Sequence, residues 1–247
     1  MEISVTEDFK LESEIINIFE EKDISKINII MDNILYFTQT ASIMSEFKHK
    51  FEPFFDDAGN IKYSLQDMEV IETIISSMED SSISSLGRVF DDDNDTNKID
   101  DFVKGRFIEN LKNGYGCFFC LLFLRAVGEN CENLNEGEVV EKYAAYLYNK
   151  IKPAKEFYKK SRLKLVRNNL VAHSKSGKEK HFLKTLKEIK PDDYIEMAKL
   201  LLQICFEIKN MMSGREQNAQ NQIEAKCDEI IFMHKASAES FINKINI

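Results

Sequence analysis

The chain has 247 residues, with 9 glycines, 3 prolines, no tryptophan and a formal net charge of −9. A β-sandwich or a doubly wound sheet of this length needs many more turn-forming residues, so the composition predicts an all-α protein. The acidic balance argues against a general nucleic-acid binder.

Apolar residues recur at helical spacing along most of the chain, and turn residues separate these segments. They predict a bundle of six to eight helices. Residues 1–212 are expected to form one helical domain, and residues 213–247 a C-terminal helix that packs either on the bundle or on a partner. The predicted helices are residues 8–22, 24–51, 65–90, 100–111, 116–127, 136–173, 192–212 and 216–245.

The longest predicted helix, residues 136–173, contains Pro153. A proline inside a helix removes a backbone hydrogen bond, and its ring collides with the preceding turn. We therefore expect Pro153 either to kink this helix or to split it in two.

The acidic run Asp91-Asp92-Asp93-Asn94-Asp95 invites comparison with a calcium-binding loop. Such a loop needs a glycine at its sixth position and a bidentate glutamate at its twelfth. The chain has Thr96 and Phe102 there, so the run is predicted to be a solvated loop.

Two further patterns match binding motifs only in part. Gly114-x-Gly116 lacks the third glycine of a dinucleotide fingerprint, since Phe119 stands in its place. Cys117-x-x-Cys120 has no second cysteine pair and no nearby histidine, so buried free thiols are expected rather than a zinc site.

The cysteines and the N-terminus point to a reduced compartment. Five cysteines show no paired framework, and no basic-then-apolar targeting signal opens the chain. The most apolar run, residues 115–124, is far shorter than the roughly 20 residues of a membrane span. We expect a cytoplasmic protein without a membrane segment.

One segment departs from the acidic character of the whole. Residues 150–190 hold 14 lysines and arginines against 3 glutamates, a local charge of +11. Such a segment is either one of two solvated helix faces of opposite sign or a basic face for a polyanion. In the second case it could also contact an acidic face of another subunit.

Arg167 and His173 lie within this basic segment. Arginine carries a permanent charge with forked donors that fit phosphate oxygens, and histidine can take and give a proton near neutrality. Six residues turn a straight helix through about 600°, which leaves the two positions about 120° apart. The side chains converge only if the helix bends or ends near His173, or if the long arginine reaches around.

Arg167-Asn168-Asn169-Leu170-Val171-Ala172-His173 resembles the Arg-polar-x4–6-His signature of the HEPN superfamily (higher eukaryote and prokaryote nucleotide-binding domains). Upstream, Ser85-Leu86-Gly87-Arg88-Val89-Phe90-Asp91 is similar to the Leu-x-Arg-hydrophobic-hydrophobic-Asp segment of its abortive-infection, U-type branch. The two motifs occur in the same order in that branch, and the resemblance spans about residues 15–205.

The resemblance implies a helical domain that dimerises and places two Arg…His motifs in a shared cleft. Many members are metal-independent endoribonucleases, often toxins or phage-defence effectors, that need no cofactor. The implied partners are RNA, a second copy of the chain, and a separate antitoxin or regulatory protein. The implied roles are His173 as general acid or base, Arg167 as phosphate ligand and Asn168 as the residue that orients the substrate or His173. The lysines that could hold the RNA backbone are Lys164, Lys175, Lys178 and Lys180. Arg88 and Asp91 are expected to form a structural ion pair or cap rather than to act as catalytic groups.

Some features depart from the family or allow other interpretations. Lys175 stands where some family toxins carry a tyrosine that a partner nucleotidyltransferase modifies, and the chain has no nucleotidyltransferase pattern of its own. A non-catalytic nucleotide-binding or assembly module of the same fold is one alternative. A helical regulator is another, in which His173 is structural and Arg167 pairs with a neighbouring carboxylate.

Overall fold

The computed structural model describes residues 18–51, 54, 56, 58–90, 98–112, 116–171, 190–213 and 219–245, with the backbone alone for 162–171 and 219–220. Within these ranges the chain forms seven helices and no β-strand, which confirms the prediction of an all-α bundle. The helices are α1 (Glu21–Phe51), α2 (Leu65–Phe90), α3 (Ile99–Phe102 and Ile108–Leu111, joined by a π-helical turn, Val103–Phe107), α4 (Gly116–Ala126), α5 (Glu136–Val171), α6 (Pro191–Met212) and α7 (Ala219–Ile242).

Helix boundaries follow local sequence signals closely. At the start of α2 the Ser64 hydroxyl accepts a hydrogen bond from the Asp67 backbone N–H at 3.1 Å, and the Asp67 carboxylate accepts one from the Ser64 N–H at 3.3 Å. These reciprocal bonds form a capping box, with aspartate in place of the usual glutamate or glutamine. Most of the predicted helix 8–22 and the acidic loop 91–95 lie outside the described residues, and residues 21–22 belong to α1.

Pro153 lies inside α5, which runs from Glu136 to Val171 without interruption. The alternative that this proline splits the helix is therefore wrong. Pro153 is exposed, as is Asn149, whose carbonyl loses its helical donor to the proline. Because that carbonyl lies on the solvent side of the helix, the lost bond costs little.

The core is built around α1, which packs against α2, α6 and α7. Its buried apolar residues recur at spacings of three and four, and they give one continuous apolar face. This face comprises Ile27, Ile30, Ile34, Phe37, Ala41, Met44 and Phe47. On the other side of the bundle, α5 packs against α4, α6 and α2.

The contact between α1 and α2 contains buried hydroxyl groups. Thr38, Ser42, Ser82 and Ser85 each donate a hydrogen bond to the carbonyl four residues earlier in the same helix, at 2.8–2.9 Å. Because these four hydroxyl groups are hydrogen-bonded within their own helices, their burial leaves none of their donors without an acceptor.

The π-helical turn in α3 brings two phenylalanines to the same side of the helix. In an α-helix, Phe102 and Phe107 would lie about 140° apart. A turn with i→i+5 hydrogen bonds places residues five apart near each other. Both rings are buried, and their centroids stack at 5.9 Å.

The same turn attaches α3 to the start of α1. The Arg106 guanidinium donates to the Asp23 carboxylate at 3.1 Å, and the Asn110 amide donates to its second oxygen at 3.3 Å. Asp23 is only 2% exposed, so these donors compensate for its loss of water.

The last helix, α7, lies against α1 and α6. Cys227, Ile231, Ala238 and Ile242 are its buried residues, and Lys50 of α1 donates to the Ile242 carbonyl at 2.8 Å. The five cysteines are free thiols, four of them buried. Of the described helices, none combines the length and the apolarity needed to cross a bilayer.

Candidate functional site

The predicted catalytic residues fall at the C-terminal part of α5 and beyond it. The backbone positions of Lys164, Arg167 and Asn168 belong to α5, and their side chains lie outside the described residues. Five other predicted residues lie entirely outside the described residues: His173, Lys175, Lys178, Lys180 and Asp91. The convergence of Arg167 and His173 therefore stays a prediction.

The register of α5 places position 167 relative to the bundle. One line of the helix is buried: Tyr143, Leu147, Ile151, Ala154, Tyr158 and Ser161. The opposite line is exposed: Ala145, Asn149, Lys152, Glu156, Lys159 and Lys160. Position 167 follows Lys160 by seven residues, or about 700°, and so lies within about 20° of it around the axis. Its backbone position belongs to this exposed line, which we call the outward stripe.

Two leucine positions continue the outward stripe beside position 167. Positions 163 and 170 lie about 40–60° from position 167 around the axis, and both are leucine. Upstream, the same stripe carries mainly lysine, asparagine and glutamate. Positions 163 and 170 are thus apolar positions on a line of α5 that is otherwise mainly polar.

A buried polar cluster lies on the inward side just before the motif. The Tyr194 hydroxyl of α6 donates to the Glu79 carboxylate of α2 at 2.7 Å. The Tyr194 ring meets Phe157 of α5 edge-on, with centroids 4.9 Å apart, and lies beside the buried Ser161 hydroxyl. Burial, followed by the neighbouring Glu79 charge, raises the pKa of Tyr194 well above its ordinary value.

This cluster joins three helices at the last described side chain of α5. Ser161 precedes Arg167 by six residues, which is about 9 Å along the helix axis. The contacts of Tyr194 with α2 and α5 fix both the position and the rotation of α5 at this point. The orientation of the outward stripe near Arg167 follows from that anchor.

A second buried cluster contains an ion pair that the sequence analysis did not identify. Lys150 of α5 donates to the Glu207 carboxylate of α6 at 2.7 Å. Glu207 is 5% exposed, and burial raises its pKa to about 7 although the lysine charge lowers it. Its second oxygen and the hydroxyl of the buried Tyr143 have no hydrogen-bond partner among the described residues.

The Lys150–Glu207 pair is not part of the predicted site. Lys150 precedes Arg167 by 17 residues, about 25 Å along the helix. The sequence did carry a signal for it, since Glu207 interrupts the apolar positions Cys205, Phe206 and Ile208. A carboxylate at an inward position of a helix requires a buried cation or donor.

Arg88 occupies an exposed position in the last turn of α2. A cation there interacts favourably with the negative end of the helix dipole. Asp91, its predicted partner, lies outside the described residues, so their ion pair or cap stays a prediction.

Within the described ranges, no three histidine, cysteine, aspartate or glutamate side chains come together as a metal site. Comparison with known protein families, characterised proteins and solved structures finds no match to this chain. The resemblance to HEPN proteins therefore rests on the two short sequence motifs alone.

Proposed function

We propose that this protein is a metal-independent endoribonuclease of the HEPN type that cleaves RNA by attack of the ribose 2′-hydroxyl. The observation that carries the proposal is the Arg167…His173 motif inside the +11 segment of an otherwise acidic chain. The outward register of position 167 supports it, because a residue on that stripe can meet a polymer that approaches from outside the bundle.

The chemistry assigns one task to each motif residue. His173 takes the proton of the 2′-hydroxyl, and the 2′-oxygen forms a bond to phosphorus. Arg167 stabilises the charge that develops on the pentacoordinate phosphate, and Asn168 orients the substrate or the imidazole. The bond to the 5′-oxygen then breaks, and that oxygen receives the proton from the imidazolium. The products are a 2′,3′-cyclic phosphate and a 5′-hydroxyl end.

The basic residues around the motif bind the substrate backbone in this proposal. Lys164, Lys175, Lys178 and Lys180 contact phosphates on either side of the cleaved bond. No cofactor is required, because the histidine supplies the proton transfer and the arginine the charge stabilisation.

The active form in this proposal is a homodimer in which two motifs share one cleft. The leucines at positions 163 and 170 support it, because they flank Arg167 on the side of α5 that faces away from the bundle core. A cytoplasmic toxin or phage-defence effector, restrained by a separate antitoxin or regulatory protein, is the corresponding cellular role.

The test is incubation of RNA in EDTA with the wild type, His173→Ala and Arg167→Ala, followed by analysis of the new ends. His49→Ala is the matched control, since His49 is an exposed residue in the last turn of α1. We expect cyclic-phosphate ends from the wild type and the control only. Cleavage that is absent from all proteins, or equal in all of them, would refute the proposal and favour a non-catalytic binding module.

A further inference from the structure

The outward stripe of α5 carries cations well before the motif. Residues 148–160 contain five lysines and one glutamate. Two of these lysines are held by carboxylates elsewhere in the bundle: Lys150 by Glu207 and Lys155 by Asp100. The remaining three, Lys152, Lys159 and Lys160, are exposed on the outward stripe.

These three lysines are available to a ligand. Within the described part of the chain, the single ion pair among them joins Lys152 to Glu156, at 4.0 Å between two exposed side chains. An exposed ion pair of this kind contributes little to stability, so Glu156 competes only weakly with another anion for Lys152. Lys159 and Lys160 have no carboxylate partner among the described side chains.

The spacing of the lysines fits a polymer of phosphates rather than a single anion. Lys152 and Lys160 are eight residues apart, about 12 Å along the helix, and Lys160 precedes position 167 by about 10 Å. All four positions lie within an arc of about 100° around the axis. A compact ligand cannot bridge a distance of about 22 Å, whereas an extended single strand can.

We propose that three lysines of the outward stripe bind the phosphate backbone of single-stranded RNA along α5 towards Arg167. These residues are Lys152, Lys159 and Lys160. The proposal rests on the proposed function for the identity of its ligand. It extends the substrate-binding surface about 22 Å upstream of the motif, into residues that the family resemblance does not assign.

The experiment measures binding without cleavage. A fluorescein-labelled, 2′-O-methylated oligouridylate of about 20 nucleotides lacks the attacking hydroxyl, so the wild type cannot cut it by the proposed mechanism. Anisotropy titrations at several salt concentrations give the slope of log K against log [salt], which is about −0.7 for each neutralised phosphate of a single strand. The test variant is Lys152→Gln/Lys159→Gln/Lys160→Gln.

The matched control is Lys62→Gln/Lys226→Gln/Lys244→Gln, which removes the same charge from exposed positions outside α5. We expect the slope of the test variant to be shallower by about 2 and that of the control to equal the wild type. Equal slopes for both variants, or no binding by the wild type at low salt, would overturn the proposal. Binding with the expected slopes together with no cleavage of unmodified RNA would refute the ribonuclease alone.

Discussion

Replacing Glu207 by glutamine should change how the stability of the fold depends on pH. Glu207 is buried between α5 and α6, with Lys150 on one oxygen and no hydrogen-bond partner among the described residues on the other. Burial raises its pKa from 4.5 to about 7. The folded protein therefore holds this proton more tightly than the unfolded chain does.

The sign and the size follow from that difference in proton affinity. Below pH 4.5 the carboxyl is protonated in both states and has no effect. As the pH rises towards 7, ionisation favours the unfolded chain, so the wild type loses stability, and the loss is complete above pH 7. The rise to about 7 corresponds to about 3 kcal/mol, at about 1.4 kcal/mol for each tenfold change in proton affinity.

Glutamine resembles the protonated carboxyl and does not titrate. We expect Glu207→Gln and the wild type to have similar unfolding free energies at pH 4.5, and the variant to be more stable by about 3 kcal/mol at pH 8. Urea denaturation followed by circular dichroism between pH 4.5 and 8.5 measures the difference. Glu196→Gln, an exposed position on the same helix, is the control. A difference between Glu207→Gln and the wild type that stays constant with pH would refute the reasoning.

Two further substitutions test the packing of α3. Gly116→Ala should lower the free energy of unfolding by about 2 kcal/mol, because the alanine Cβ would lie 2.3 Å from the Leu111 carbonyl oxygen. Thermal unfolding measures this loss, and an unchanged Tm would contradict the prediction. Arg106→Ala should lower the free energy of unfolding by about 2–3 kcal/mol, because the buried Asp23 carboxylate loses its cation. Urea denaturation measures this loss, and recovery of stability when Asp23→Asn is added to the same chain would confirm the cause.

The helices were predictable from sequence because their signals are local. The Ser64–Asp67 capping box and the apolar periodicity of α1 each act within a few residues. The π-helical turn was not predicted, since it depends on how Phe102 and Phe107 pack against residues far along the chain. The uninterrupted path through Pro153 likewise depends on which side of α5 faces water.

The candidate site was predictable as a set of residue types and not as a geometry. The spacing of Arg167 and His173 follows from the sequence, whereas their convergence depends on the path of the chain after α5. The buried pairs Tyr194–Glu79 and Lys150–Glu207 join residues 115 and 57 positions apart, and no local pattern encodes such distances. The outward stripe depends on the rotation of α5, which is set by the residues that this helix buries.

Because of the π-helical turn of α3, the fold depends on the number of residues between Phe102 and Phe107. A side chain between Phe102 and Phe107 can be exchanged while the two rings keep their shared side of the helix. Loss of one residue there would restore α-helical winding and rotate everything after it by about 100° relative to what precedes. Arg106 would then turn away from Asp23, and Ile108 and Leu111 would leave the core. The intolerance of this segment to deletion thus originates in the rotation that relates the two halves of one helix.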